Sequence, residues 1–388
     1  MLKSPHMQGI VRTRGLLFIL SLVTVPVATI VVVLFARGYR PDFGTKSLTP
    51  TGLLVAKSYP DGAQILIDTE LKSATDTTLN LPPQTYSVEI KKDGFVPWKK
   101  TLTVQAEIVT RATAWLFPSV PSLRAITSSG ALRPLVSPDG GKVAYLQTDF
   151  RQSKLFTVDL SESPLGAINR DSKLVTSLPI TPDHITWSPD SRQILAIASS
   201  SAQLVDLNTS QTRDVLDRLN IIQAGWDQIL EEKFTEKFTS LPPRLQDLLA
   251  TSAANLVWSP NEKKLLYTAT ASASLADTII PPLPGSSTQT QNRFLSPNHV
   301  FVYDIEEDRN FEVGDGWTWF PSSSHLYRVE DSKVIIMEYD GQNQTTVYAG
   351  PMSDPFAAAY PSSKQLLILA NLNPTLSTLP NLYAVSLR

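Results

Sequence analysis

The chain has 388 residues, 42% hydrophobic and 18% charged, with 34 Lys and Arg against 36 Asp and Glu for a formal charge of −2. That balance excludes the strongly basic surface of a nucleic-acid binder, and the length predicts two or three units rather than one. With no cysteine present, disulfides, thiolate metal sites, cysteine nucleophiles and lipid attachment through cysteine are all excluded.

A short polar stub, residues 1–14, precedes an uncharged run from Gly15 to Phe35, GLLFILSLVTVPVATIVVVLF. As a helix at ~1.5 Å per residue it reaches roughly 30 Å, the thickness of a bilayer core. Pro26, midway, is tolerated in lipid. A cleaved signal peptide is the alternative, although its apolar region is normally about 7–15 residues. Lys3, Arg12 and Arg14 on one flank nearly balance Arg37, Arg40 and Lys46 on the other. The brevity of the N-terminal flank favours keeping it cytoplasmic, so the expectation is a single-pass cell-membrane protein with its C-terminal bulk outside the cytoplasm.

Residues 36–51 read as a polar linker. From 52 to 118 apolar residues alternate: Ala63, Ile65 and Ile67, then Tyr86, Val88 and Ile90, then Leu102 and Val104. Period-2 patterning broken by Pro-Asp-Gly, Leu-Pro-Pro and Asp-Gly predicts a small antiparallel sandwich. The segments Pro60-Asp61-Gly62-Ala63, Ile65-Leu66-Ile67-Asp68, Leu81-Pro82-Pro83 with Tyr86, and Lys92-Asp93-Gly94-Phe95 with Trp98 resemble a PEGA domain. Departures are Asp61 for glutamate, Thr69 where a turn glycine is usual, and Gln84 for the glycine before Tyr86. The turn motif sets backbone geometry, since proline presets φ and glycine permits φ > 0. The resemblance implies an extracytoplasmic binding or spacer module and no enzyme.

After a linker at 118–121 a cadence begins. A proline is followed five positions later by a new apolar run at Pro138, Pro189, Pro260, Pro321 and Pro361, and Trp187, Trp258 and Trp319 stand two residues before three of them. A third strand in several units ends on an acid, as at Asp159, Asp206 and Asp304. A strand–turn–strand unit that cannot bury its own faces must stack on copies of itself. The recurring Trp-Ser-Pro-Asp corner resembles TolB-type and WD-like β-propeller repeats, and covers residues 122–388. The proline intervals are 51, 71, 61 and 40 residues, so five blades are visible. A sixth is possible around Trp226-Asp227 within the longest interval. Residues 213–254 read as a helical insertion, with Leu230, Phe234 and Phe238 on one stripe and Leu245, Leu248 and Leu249 on a second. Residues 277–297, rich in Pro, Ser, Thr and Gln, read as a mobile loop between strands.

Chemistry is sparse. The four histidines, His6, His184, His299 and His325, are scattered. There is no HExxH, no Gly-x-Ser-x-Gly elbow and no phosphate-cradling Gly-x-x-x-x-Gly-Lys-Ser/Thr. Asp139, Asp190 and Asn261 sit at proline corners, where turn-side hydrogen bonding is the expected role. No catalytic residue, metal site or cofactor is predicted.

The fold class is thus mainly β: an N-terminal membrane helix, a PEGA-like sandwich, then a five- or six-bladed propeller carrying a helical insertion. The expected function is non-enzymatic binding or scaffolding at the cell envelope, the propeller engaging a protein or glycan partner. Trp226, Phe234 and Phe238 are the candidate partner surface. Two rivals remain: a propeller hydrolase or lyase acting on envelope polymer, which needs acids or histidines converging in the channel, and a structural surface-lattice component.

Overall fold

In a computed structural model of the chain, residues 6–36, 38–42, 47–149, 152–161, 172–281, 283–372 and 379–388 are described. The chain divides into two compact units, one of residues 1–91, 99–115 and 284–288, the other of 92–98, 116–283 and 289–388.

The first unit opens with helix α1, His6–Ala36, which contains Pro26. Ser21 and Thr29 turn their hydroxyls back onto the Phe18 and Val25 carbonyls, both at 2.8 Å, so their polar atoms are satisfied within the helix. Among the described residues no helix is long and apolar enough to cross a membrane. Within the expected linker, Arg40–Asp42 pairs antiparallel with Ser47–Thr49.

Two sheets follow. One orders Thr77–Leu81, Gly52–Tyr59 and Val109–Trp115; the other orders Glu70–Ala74, Gln64–Ile67, Gln84–Lys91 and Trp98–Val104. Alternation puts Leu54, Ala56, Ile65, Val88 and Ile90 completely out of solvent. The expected all-antiparallel sandwich is corrected at one pair: Gly52–Tyr59 runs parallel to Val109–Trp115 from Leu53↔Val109 to Tyr59↔Trp115. Period-2 alternation fixes which face is buried but carries no information on strand direction. At the Pro60-Asp61-Gly62-Ala63 turn, Gly62 has φ +69°. The Ala63 N–H donates to Thr75 Oγ1 at 2.9 Å, and that oxygen lies 2.6 Å from Ser58 Oγ.

The second unit holds five four-stranded antiparallel sheets in chain order. Blade 1 comprises Leu132–Val136, Lys142–Asp149, Gln152–Asp159 and Lys173–Leu178; blade 2, His184–Trp187, Gln193–Ala198, Ser201–Asp206 and Thr212–Asp214; blade 3, Ala253–Trp258, Lys264–Ala269, Val300–Asp304 and Arg309–Glu312; blade 4, Thr318–Trp319, His325–Glu330, Lys333–Glu338 and Thr345–Ala349. Blade 5 takes Ala357–Ala359, Gln365–Ala370 and Asn381–Ser386, and its fourth strand is Leu123–Ala125 from the start of the unit. Neighbouring sheets share cores: Ala144 and Leu155 pack with Trp187 and Ile194, Leu266 and Val302 with Trp319 and Leu326, and Tyr145 and Val158 with Tyr360 and Leu369. The last of these joins blade 5 to blade 1 and closes a five-bladed propeller.

No sixth blade occupies the longest interval. Trp226 lies instead in helix α2, Leu219–Thr239, which is followed by α3, Pro243–Ser252. Pro243 starts α3, where a missing N–H costs nothing, and Leu245 and Leu249 drive its buried face against Tyr267 and Phe301 of blade 3. The loop expected to be mobile, 277–297, is held at both ends. Ala273–Ser274 pairs with Phe294–Leu295, the Ile279 N–H donates to Asp308 at 3.0 Å, and the Arg293 guanidinium donates to the Ala276 carbonyl and pairs with Asp308 at 3.2 Å. Its composition signals a lack of periodicity, but these polar anchors come from blade 3 residues that composition does not reveal.

Candidate functional site

The five proline corners join the first and second strands of their blades. In each, an N–H two residues past the proline closes the turn onto the carbonyl before it, from Gly140 to Ser137, Ser191 to Ser188, Glu262 to Ser259, Ser323 to Phe320 and Ser363 to Tyr360, at 2.8–3.0 Å. The donor residue always takes a positive φ, between 58° and 68°. In blades 1–3 the serine before the proline fills the loop. Ser188 Oγ donates to Asp190 at 2.6 Å and accepts the Gln193 N–H at 2.9 Å; Ser137 and Ser259 repeat this with Asp139 and Asn261. Blades 4 and 5 replace that serine with buried Phe320 and Tyr360.

Two pairs of successive corners touch, those of blades 1 and 2 and those of blades 3 and 4. The Asp139 N–H donates to Ser191 Oγ at 3.2 Å, and the Asn261 N–H to Ser323 Oγ at 3.0 Å. Trp187 and Trp319 reach back one blade, their indole N–H groups donating to the Leu135 and Val257 carbonyls at 3.1 and 2.9 Å. Trp258 meets the edge of Phe234 instead, at 5.6 Å. The corners of blades 1 and 2, and those of blades 3 and 4, are thereby linked on one face of their sheets. On it, in blades 1–4, the start of the second strand pairs with the end of the third: Lys142↔Asp159, Gln193↔Asp206, Lys264↔Asp304 and His325↔Glu338. In blade 3 this is a buried ion pair at 3.2 Å whose ammonium also covers the Tyr339 ring.

Between blades 1 and 2 this face opens into a polar cleft of about 890 Å³, lined by Asp139, Asp159 and Asp190 together with Lys142, Lys173 and Arg192. Burial pushes the Asp139 carboxyl up, but hydrogen bonds from Ser137, Gly141 and Ser191 outweigh it and hold the group below the usual carboxylate range. Asp190 is likewise held low, first by the Ser188 hydroxyl and also by the Arg192 N–H and charge. Both acids stay ionised at neutral pH and accept hydrogen bonds from their own turns. That suits ligand or counter-charge binding better than proton transfer, which needs a pKa near the working pH.

Helix α2 lies across part of this face. Lys233 Nζ donates to the Pro189 carbonyl at 3.2 Å, Lys237 pairs with Glu262 at 2.7 Å, and a chamber of about 320 Å³ remains between α2 and the corners of blades 1 and 2. The three aromatic residues expected to form a partner surface take different roles. Trp226 lines the chamber, Phe234 is 38% exposed and stacks on Phe238 at 5.7 Å, and Phe238 packs on the α3 core.

Of the histidines, His299 hydrogen-bonds Glu312 at 2.6 Å on the surface, and His325 is buried with Nδ1 3.1 Å from Ser322 Oγ. Among the described residues no group of His, Asp and Glu is placed to hold a metal ion. Lys142, Lys173 and Arg192 escape a sequence reading because they come from two strand starts and a corner that are separate in the chain. The acid closing the third strand of blade 1, Asp159, was the usable signal, since Lys142 lies directly across the pair.

Residues 51–119 match the PEGA domain family, so the chain carries a PEGA domain there. No curated protein matches the chain. Among solved structures, the chain is similar to TolB from Acinetobacter baumannii at 13% identity and a TM-score of 0.23, covering 79% of this chain and 60% of that one. The chain thus spans about 60% of the length of that protein. A likeness at that score carries no argument; the ring of five sheets rests on its own strand pairing and shared cores.

Proposed function

We propose that this protein is a membrane-tethered, non-enzymatic binding or scaffold component of the cell envelope, whose propeller corner face engages a protein or glycan partner. The PEGA domain supports an envelope-associated role. The tether is supported by the uncharged run 15–35 and by α1 side chains that no protein covers, such as Phe18 at 68% and Val32 at 66% exposure. Such a row of apolar side chains calls for a non-aqueous environment.

One observation carries the binding reading: the corner acids are ionised acceptors within their own turns, beside a cleft holding cations from separate strands. A pull-down from envelope extracts with the full chain in detergent tests it. The expected outcome is one partner at stoichiometric yield. Recovery of no partner, with turnover of an envelope polymer instead, would falsify the reading.

The hydrolase or lyase reading draws on the same cleft, where Asp139, Asp159 and Asp190 converge. It requires polymer cleavage that is lost in Asp139→Asn or Asp190→Asn. Orientation is open to labelling in intact cells, with the C-terminus expected outside the cytoplasm.

A further inference from the structure

We propose that the chamber under α2 is a subsite for one neutral sugar ring of an envelope glycan; this deepens the binding reading above and rests on it. At about 320 Å³ the chamber sits at the small end of ligand pockets, which run roughly 300–1,000 Å³. That is room for a single ring.

Its apolar surface comes from Trp187, Trp226 and the corner prolines Pro138 and Pro189. Trp187 has already committed its indole N–H to the Leu135 carbonyl, so it offers only its ring. Most of the polar groups belong to α2, with Thr186 of blade 2 adding a hydroxyl. Gln223, Trp226 and Asp227 all line the chamber, and among the described residues the indole N–H, amide and carboxylate they carry have no protein partner. One helix therefore presents an aromatic platform, a donor, an acceptor and an amide that is both.

Charge narrows the ligand. Asp227 is the one ionisable side chain in the lining, and Lys233 stands close by with its ammonium on the Pro189 carbonyl at 3.2 Å. The single carboxylate in the lining disfavours an anionic ligand, and the Lys233 ammonium at the Pro189 rim reduces the attraction for a cationic one. A wholly apolar occupant, such as a peptide side chain, would strip water from the amide, carboxylate and indole N–H without replacing those bonds. A pyranose does both things: its C–H face covers indole, and its hydroxyls donate to the carboxylate and accept from the amide and the indole.

The test uses the full chain in a zwitterionic detergent free of sugar headgroups. An array of neutral oligosaccharides is screened, and any hit is titrated by tryptophan fluorescence and by saturation-transfer NMR. Saturable binding is expected, weakened at least tenfold (about 1.4 kcal/mol) in both Trp226→Ala and Asp227→Asn with unchanged melting temperature. Trp226→Phe should retain most of it. Ile221→Ser on the same helix, at a side chain 73% exposed, should bind like the parent.

The proposal is overturned if no neutral sugar binds saturably, if Trp226→Ala and Asp227→Asn bind unchanged, or if only charged sugars or apolar peptides occupy the chamber. Capture of the same envelope partner by parent and Trp226→Ala alike would leave the broader binding reading standing while removing this one. Loss of all partner capture by the parent would remove both.

Discussion

Ser191 and Thr69 share an unusual backbone with opposite consequences. Both hold positive φ, 60° and 73°, a conformation that costs a non-glycine residue about 1–2 kcal/mol. Thr69 is exposed and β-branched, and it occupies a turn where the PEGA resemblance leads one to expect glycine. Thr69→Gly should therefore stabilise the sandwich, by up to about 1 kcal/mol after the extra freedom of the unfolded glycine is counted. Ser191→Gly relieves the same strain but removes the acceptor of the Asp139 N–H, so a net loss of about 1 kcal/mol is expected. Urea midpoints of the two variants should move in opposite directions. The corner acids add a pH dependence. Because Asp139 and Asp190 are held low in the folded state, their stabilisation is complete above the unfolded carboxylate pKa of about 3.9 and is lost as pH falls through the folded values. Both are exposed, so the effect is modest. An Asp190→Asn variant should show a flatter decline in melting temperature below about pH 4 than the parent.

At the level of elements, the corners were legible because proline, the preceding serine and the following acid each have a local job in the same short turn. A local cause leaves a local pattern. Five blades were legible, but the closing strand was not, since Leu123–Ala125 has three residues and no periodicity, and its place in blade 5 depends on a partner at the far end of the chain. The insertion was legible as helix, but the stripe Leu230, Phe234 and Phe238 only partly matches what α2 uses. Leu230 is half exposed, and besides Phe234 against Trp258 the contacts with the corners run through Trp226, Lys233 and Lys237. Two polar side chains anchoring a helix to turns leave no mark in a hydrophobic pattern. The sharper anchor is α3, where Leu245 is fully buried in the blade 3 core. Leu245→Ala should cost about 2–5 kcal/mol, whereas Ile221→Ser on α2, a surface position, should stay within about 0.5 kcal/mol. Equal losses in chemical denaturation would mean that α2 packs as tightly as α3, contrary to this account.

For the whole propeller unit, one seam differs from the rest. Four blade junctions join sheets consecutive in sequence, whereas blade 5 meets blade 1 through a shared core and takes its fourth strand from the start of the unit. Beside that strand, Asn381 Oδ1 accepts both the Thr127 hydroxyl and the Gly130 N–H at 3.0 Å, and Thr127 Oγ1 in turn accepts the Leu382 N–H at 2.9 Å. Asn381 is 9% exposed, so water cannot replace the lost bonds. Asn381→Ala leaves two buried donors without an acceptor, at about 1–3 kcal/mol each, and the expected destabilisation is about 2–4 kcal/mol. Asn381→Asp keeps the acceptor oxygen and should lose less. A ring opened at one junction exposes the faces that Tyr145 and Tyr360 share, so local opening should begin there. Hydrogen exchange in Asn381→Ala is expected to accelerate first in Leu123–Ala125 and Asn381–Ser386, ahead of the blade 3 strands Lys264–Ala269 and Val300–Asp304. Leu245→Ala should reverse that order, because its damage lies at blade 3 and leaves the seam intact. If both variants lose protection at the seam and at blade 3 together, the five sheets open as one cooperative body and the seam has no separate weakness.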